Sequence, residues 1–207
     1  MLEIVNKGVE RHMRTKERMP NWLAVPIAVM VSLPFGLWLG DYNLPLWVAF
    51  IVWAEYFMFG GKLGGLKVLV PAFMLGVLAA GLVQSFAILL GGIFGDAQIV
   101  APGDLATAVA YFIGFGVAVF LMQFVRVMRD GVLSYFQGIA ITLGAIFTGQ
   151  GAGYVGHSTD PYVALLGAVL VTALACLLGS FIGWFNVWLN GPAEVSEETA
   201  AVAGAGT

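Results

Sequence analysis

No Lys or Arg occurs between Arg18 and Lys62, between Lys67 and Arg126, or after Arg129, and the sequence between these points is long and apolar. A soluble domain must clothe every exposed face in polar side chains and carries about 25% charged residues to do so. Here charged residues make up 10% and hydrophobic residues 60% of 207. Crossing a hydrocarbon core as a helix takes about 20 apolar residues. The chain supplies six candidates, at about 22–40, 45–60, 68–94, 104–125, 133–150 and 161–190. The expected fold class is an all-α integral membrane protein with six transmembrane helices and a lipid bilayer as its solvent.

Basic residues near span ends are retained on the cytoplasmic side. Starting there with Lys7, Arg11, Arg14, Lys16 and Arg18, two crossings bring the chain to Lys62 and Lys67, and two more to Arg126 and Arg129. The opposite connections hold Asp41, then Asp96 and Asp104, then His157 and Asp160. Both termini are therefore expected in the cytoplasm. The acidic tail with Glu194, Glu197 and Glu198 is compatible, since carboxylates contribute little to orientation. The first span contains Pro26 and Pro34 and lacks a small-residue cleavage site, so it is read as retained. Ahead of it, Leu2, Val5, Val9 and Met13 recur at helical spacing, with Glu3–Lys7 and Glu10–Arg14 pairs on another face. This predicts a cytoplasmic amphipathic interfacial helix over 1–21. The Ala-, Gly- and Glu-rich segment 191–207 lacks apolar periodicity and is expected to be disordered.

Three spans per half place the halves, about 22–95 and 104–190, in opposite orientations. In each, a short middle span runs into a glycine-rich break: Phe59-Gly60-Gly61-Lys62-Leu63-Gly64-Gly65 and Phe147-Thr148-Gly149-Gln150-Gly151-Ala152-Gly153. A long glycine-containing span follows, with Gly76 and Gly81 in one half and Gly167, Gly179 and Gly183 in the other. This pattern predicts an inverted 3+3 repeat whose broken or short second and fifth helices face one another across a central site. Small residues four apart, such as Gly76 and Ala80 or Gly179 and Gly183, also permit close helix packing without any ligand.

The run Tyr56-Phe57, followed by Gly64-Gly65-Leu66-Lys67, and the later Phe147-Thr148-Gly149-Gln150-Gly151 resemble the two signatures of a bacterial inner-membrane family catalogued as domain of unknown function 1097. The resemblance covers about 30–190. It implies a multi-pass protein of the bacterial inner (plasma) membrane, and it brings no assigned activity or functional residues. The charged leader, the segment 153–160 and Glu55 depart from the family pattern.

Candidate functional residues are the polar groups stranded in apolar sequence. A carboxylate at the depth of Glu55 costs several kcal/mol or more unless paired, hydrated or protonated. It marks a pathway, or else an anchor reaching the interface or Lys62. Gln84, Gln123, Gln137 and Gln150 are expected to face the bundle interior, as secondary polar lining or as interhelical ties. Gln150 is flanked by glycines whose backbone a ligand could reach. Tyr56, Phe59 and Phe147 lie beside the breaks, and Phe59 and Phe147 are expected to correspond and constrict a path. The expected substrate pathway thus comprises Glu55, Tyr56, Phe59, Gly60, Gly61, Phe147, Thr148, Gly149, Gln150 and Gly151. Trp22, Trp38, Trp47, Trp184 and Trp188 suit interfacial belts. His157 has no second ligand at metal spacing and reads as a loop residue or a pH sensor beside Asp160, while Cys176 reads as a small apolar filler. No nucleotide-binding or catalytic motif and no nucleic-acid module is present, so no enzyme, metal, cofactor or nucleic-acid partner is expected. The expected function is a channel or transporter for a small polar solute or ion, assembled as a homo-oligomer. The alternative is a non-transporting accessory subunit that docks a partner.

Overall fold

The computed structural model describes residues 16–94 and 104–193, and α-helix dominates them: α1 (Asn21–Leu37), α2 (Leu46–Met58), α3 (Leu63–Phe94), α4 (Leu105–Leu121), α5 (Arg126–Asp130), α6 (Val132–Phe147) and α7 (Pro161–Asn190). Helix starts follow local chemistry. Pro20 and Pro45 occupy the caps of α1 and α2, where a missing N–H costs nothing. Asp104 and Asp160 cap α4 and α7 with side-chain oxygens. The Asp160 carboxylate accepts from the Tyr162 and Val163 amides at 2.9 and 3.0 Å, and Pro161 opens the helix behind it.

At 32 and 30 residues, α3 and α7 are apolar and long enough to cross a membrane; at 1.5 Å per residue they measure about 48 and 45 Å. Shorter apolar helices are α1, α4 and α6, and α2 has 13 residues. The second expected span is therefore short, as its position ahead of a break requires. Several boundaries differ from expectation. α3 begins at Leu63, so Gly64 and Gly65 belong to its first turn and not to the break. Gly65 is needed for a different reason: a Cβ there would stand 2.8 Å from the Phe59 carbonyl oxygen. The fourth stretch ends at Leu121, and the separate short α5 turns the chain before α6.

Of the leader helix expected over 1–21, residues 1–15 lie outside the described residues, as do Asp96 and 194–207. Lys16–Glu17 are not helical. They pair antiparallel with Pro192–Ala193, so the segments flanking α1 and α7 meet at one end of the bundle and those two residues of the tail are ordered as a strand. Pro20 takes extended backbone, φ −63° and ψ 141°, so α1 starts anew after it.

α3 and α7 run antiparallel through the centre, with Gly81 against Val169, and Phe73 and Val77 share a core with Ala175 and Cys176. Each long helix packs against the middle helix of the other half. Gly76 and Gly138 seat α3 directly on α6 backbone, and Gly179 and Gly183 seat α7 on Ala49, Val52 and Tyr56 of α2. α4 flanks α3 with Gly114 against Val83, and α1 flanks α7, where the Asn190 amide donates to Asn21 at 2.9 Å. From these contacts α2 is parallel to α7, α6 is parallel to α3, and successive long segments alternate in direction.

Alternation sorts the charges. Lys16, Arg18, Lys62, Lys67, Arg126 and Arg129 all fall at the end where Lys16–Glu17 pair with Pro192–Ala193, the first break meets Val187, and α5 adjoins Gly131. Asp41, Asp104, His157 and Asp160 fall at the other end, where no Lys or Arg occurs among the described residues. Large apolar side chains occupy the outer surface as well as the core, and several polar ones are buried. Ser32, Glu55, Gln84, Ser134, Thr142, Thr172 and Asn186 are buried, while Leu82, Phe112, Phe124, Leu166, Leu170 and Leu177 point outward.

Candidate functional site

The two breaks share one hydrogen-bonding plan. After α2, the amides of Phe59, Gly60 and Gly61 donate to the carbonyls of Glu55, Phe57 and Tyr56. After α6, those of Thr148, Gly149 and Gln150 donate to Gly144, Ile146 and Ala145 in the same pattern. Both close the last helical turn onto itself through glycines with positive φ, +83° at Gly60 and +66° at Gly149. The shared plan sets the register: Phe59 corresponds to Thr148, Gly60 to Gly149 and Gly61 to Gln150. Phe147 therefore matches Met58, and the expected Phe59–Phe147 correspondence is off by one residue. Phe59 packs partly buried on the core, whereas Phe147 is 48% exposed on the outer surface.

Near the first break, the Ser134 hydroxyl on α6 donates to Glu55 Oε1, and Glu55 is 2% exposed. Its Oε2 has no partner, and no ion pair to it forms among the described residues, so the alternative of an anchor paired with Lys62 is not realised. Tyr56, the next residue, is buried against Gly183. One helical turn beyond that glycine, Asn186 is fully buried with neither amide atom partnered. Gly61 closes this end on Val187, 3.4 Å from where its Cβ would stand.

The second break opens a cavity of about 140 Å³ between α3, α6 and α7. Gln84 and Ile88 form one wall, Ile146, Gly149 and Gln150 another, and Pro161, Ala164, Leu165 and Ala168 the third. Gly151 holds the loop against α7, where a Cβ would strike the Gly167 backbone. Gln84 is held from behind: the Tyr111 hydroxyl of α4 donates to its Oε1 at 2.7 Å. Thr148 faces outward and returns its hydroxyl to Gly144 at 2.7 Å. At the cavity's end of the bundle, Asp104 accepts the Thr107 hydroxyl and amide, which hold its carboxyl below the usual range.

Register makes the two ends unequal. Where one end joins Gly61 to Val187, the other places Gln150 and Gln84 on a common cavity. The breaks also lie at opposite ends of α7, since Gly61 meets Val187 and Gly151 meets Gly167, about 30 Å apart along the helix. They do not face one another across a central site as expected. Between them sits an apolar core of Val48, Val52, Phe73, Val77, Ile141 and Cys176. Of the expected pathway, Gly149 and Gln150 share the cavity with Gln84, while Glu55, Tyr56, Phe59, Gly60 and Gly61 gather at the other end.

Two of the expected lining residues resolve differently. Gln123 lies beyond the end of α4 and is exposed, because the helix stops at Leu121. Gln137 is partly buried on α6 with its Oε1 unpartnered. His157 approaches Asp41 at 3.5 Å rather than Asp160. Ser134, Asn186 and Tyr111 were not anticipated. For Ser134 and Asn186 the signal was present, since the rule that singles out glutamines in apolar sequence applies equally to them. Tyr111 carries none, because a tyrosine in a helix is ordinary until its partner is known.

No curated protein and no solved structure matches this chain. The family described as Protein of unknown function (DUF1097) matches residues 23–191, which include every helix but the first two residues of α1, both breaks and the cavity. The chain belongs to that family.

Proposed function

We propose that this chain is a six-span protein of the bacterial inner membrane, built from two inverted three-helix halves with both termini cytoplasmic, and that it passes a small polar solute or ion along the seam between them. The observation that carries this reading is the cavity where the second break of one half meets α3 of the other, lined by two carboxamides. Reciprocal packing of α3 on α6 and α7 on α2 supports the inverted relation. Apolar side chains facing outward suit lipid, and the segregation of cations to one end suits a cytoplasmic face. Glu55 supplies charge or a proton toward the first break, and the apolar core between the two ends is the closed gate. The small bundle and its outward leucines and phenylalanines suit a homo-oligomer. A docking role without transport is favoured only by the continuity of that apolar core.

Solute flux into proteoliposomes holding the purified full chain tests this. Conduction of urea, a small amide, a small anion or a monovalent cation is expected, with Glu55→Gln changing its rate or pH dependence. Impermeability to all four under every imposed gradient would overturn transport in favour of docking.

A further inference from the structure

Resting on the transport reading, we propose that the cavity at the second break is a binding site for a small uncharged solute bearing a carbonyl group, of the primary amide or urea class, held by the side-chain amides of Gln84 and Gln150. Gln84 is 1% exposed and lines the cavity. Its oxygen is committed to the Tyr111 hydroxyl at 2.7 Å, so its remaining hydrogen-bonding group is the NH2, which has two donors and no acceptor. Tyr111 thereby turns an amide that could serve as either donor or acceptor into a fixed donor. Gln150 sits on the opposite wall with a second amide, and its backbone N–H is already spent on the Ala145 carbonyl at 2.8 Å. A fixed donor at Gln84, facing a carboxamide at Gln150 that can donate or accept, with apolar walls between them, suits a solute that carries a carbonyl oxygen beside an N–H.

Charge excludes ions. No Lys or Arg lines the cavity, and this end of the bundle holds Asp41, Asp104 and Asp160, so an anion finds no counter-charge and meets repulsion. A cation would need several acceptors or a carboxylate, and with the Gln84 oxygen committed to Tyr111 the lining side chains leave it the Gln150 oxygen and no carboxylate. Size narrows the class further. A cavity of 140 Å³ is close to the roughly 150 Å³ that accommodates benzene, which fits a solute of about four to six non-hydrogen atoms.

Site and conduit are tested separately on the full chain. Saturation-transfer NMR with acetamide and with acetate on detergent-solubilised protein reads binding, and proteoliposome flux reads passage. Acetamide should receive saturation and acetate should not. Gln84→Leu and Gln150→Ala should each weaken acetamide binding about 3- to 10-fold, the loss expected for one neutral hydrogen bond. Tyr111→Phe should do so less, by freeing the Gln84 amide to rotate, and it leaves the cavity wall in place should Gln84→Leu fail to fold. Binding that responds to these variants without flux would uphold the site and overturn the conduit. Flux of ions with no acetamide binding would uphold the conduit and overturn the site. Acetate binding equal to acetamide, or binding indifferent to Tyr111→Phe and Gln150→Ala, would also overturn it.

Discussion

Gly76→Ala and Gly138→Ala perturb the seam that joins the halves at its tightest point. A Cβ at Gly76 would enter the Tyr135 carbonyl oxygen and stand 3.0 Å from the Ile139 nitrogen; one at Gly138 would enter the Phe73 carbonyl oxygen and stand 3.1 Å from the Gly76 Cα. These obstacles are backbone atoms of helices already packed on both sides, so no rotamer change relieves them. Moving α3 off α6 by about 1 Å sacrifices a large part of the dispersion energy along the contact, and overpacking of this kind costs about 1–3 kcal/mol. With backbone on both sides, the upper end is expected, about a hundredfold in the ratio of folded to unfolded chain. Gly92 and Gly116 are the controls: nothing lies within 4 Å of either Cβ, and alanine there gains up to about 1 kcal/mol in helix propensity. The assay is the temperature at which the full chain in detergent loses its monodisperse chromatographic peak. Gly76→Ala and Gly138→Ala should melt below wild type, and Gly92→Ala and Gly116→Ala at or above it. Gly179→Ala should match the first pair, because its Cβ would stand 2.8 Å from Val52 Cβ in the equivalent seam. Tolerance of alanine at Gly76 and Gly138, or a response from only one of the two seams, would refute the reciprocal packing.

Ser134→Ala strips Glu55 of its one hydrogen-bond donor and should cost about 1–3 kcal/mol, whereas Glu55→Gln keeps an acceptor for the hydroxyl and should cost less; equal losses in the melting assay would contradict this. Asp104, whose carboxyl is held below its usual range by the Thr107 hydroxyl and amide, adds stability that is present above the unfolded-state value and lost as pH falls through the lower folded-state value. Wild type should therefore lose melting temperature on acidification more steeply than Asp104→Ala, and parallel curves would count against the cap. In a Cys176→Ser background, Lys62→Cys and His157→Cys should react with a membrane-impermeant maleimide from opposite faces, the first only after the cytoplasmic face is exposed; labelling of both in intact spheroplasts would defeat the proposed threading.

Much of the bundle was readable because its causes are local. The stretch 161–190 coincides with α7, since an aspartate cap, a proline at the first position and an apolar run need no tertiary help. Both breaks were visible in their glycines, which are required where the capping turn takes positive φ. Boundaries failed where two explanations of glycine compete. Gly64 and Gly65 read as part of a break, and only the approach of Phe59 reveals that Gly65 makes room inside a helix. Gln123 was misplaced for a similar reason: apolar sequence continues past Leu121, although the helix does not.

Charge placement, apolar periodicity and glycine runs, all properties of neighbouring residues, determined from the sequence alone that this is a helical chain with two glycine breaks and, among the described residues, with its cations gathered to one end. The pairing of Glu55 with Ser134, the fixing of Gln84 by Tyr111 and the approach of Gln84 to Gln150 were decided only by the tertiary structure. Each joins residues far apart in the chain on different elements, and which side chains meet depends on helix rotation and on a register set by backbone-to-backbone contacts at glycines. A one-residue difference there separates Phe59 from Phe147 and leaves a closed seam at one end and an amide-lined cavity at the other.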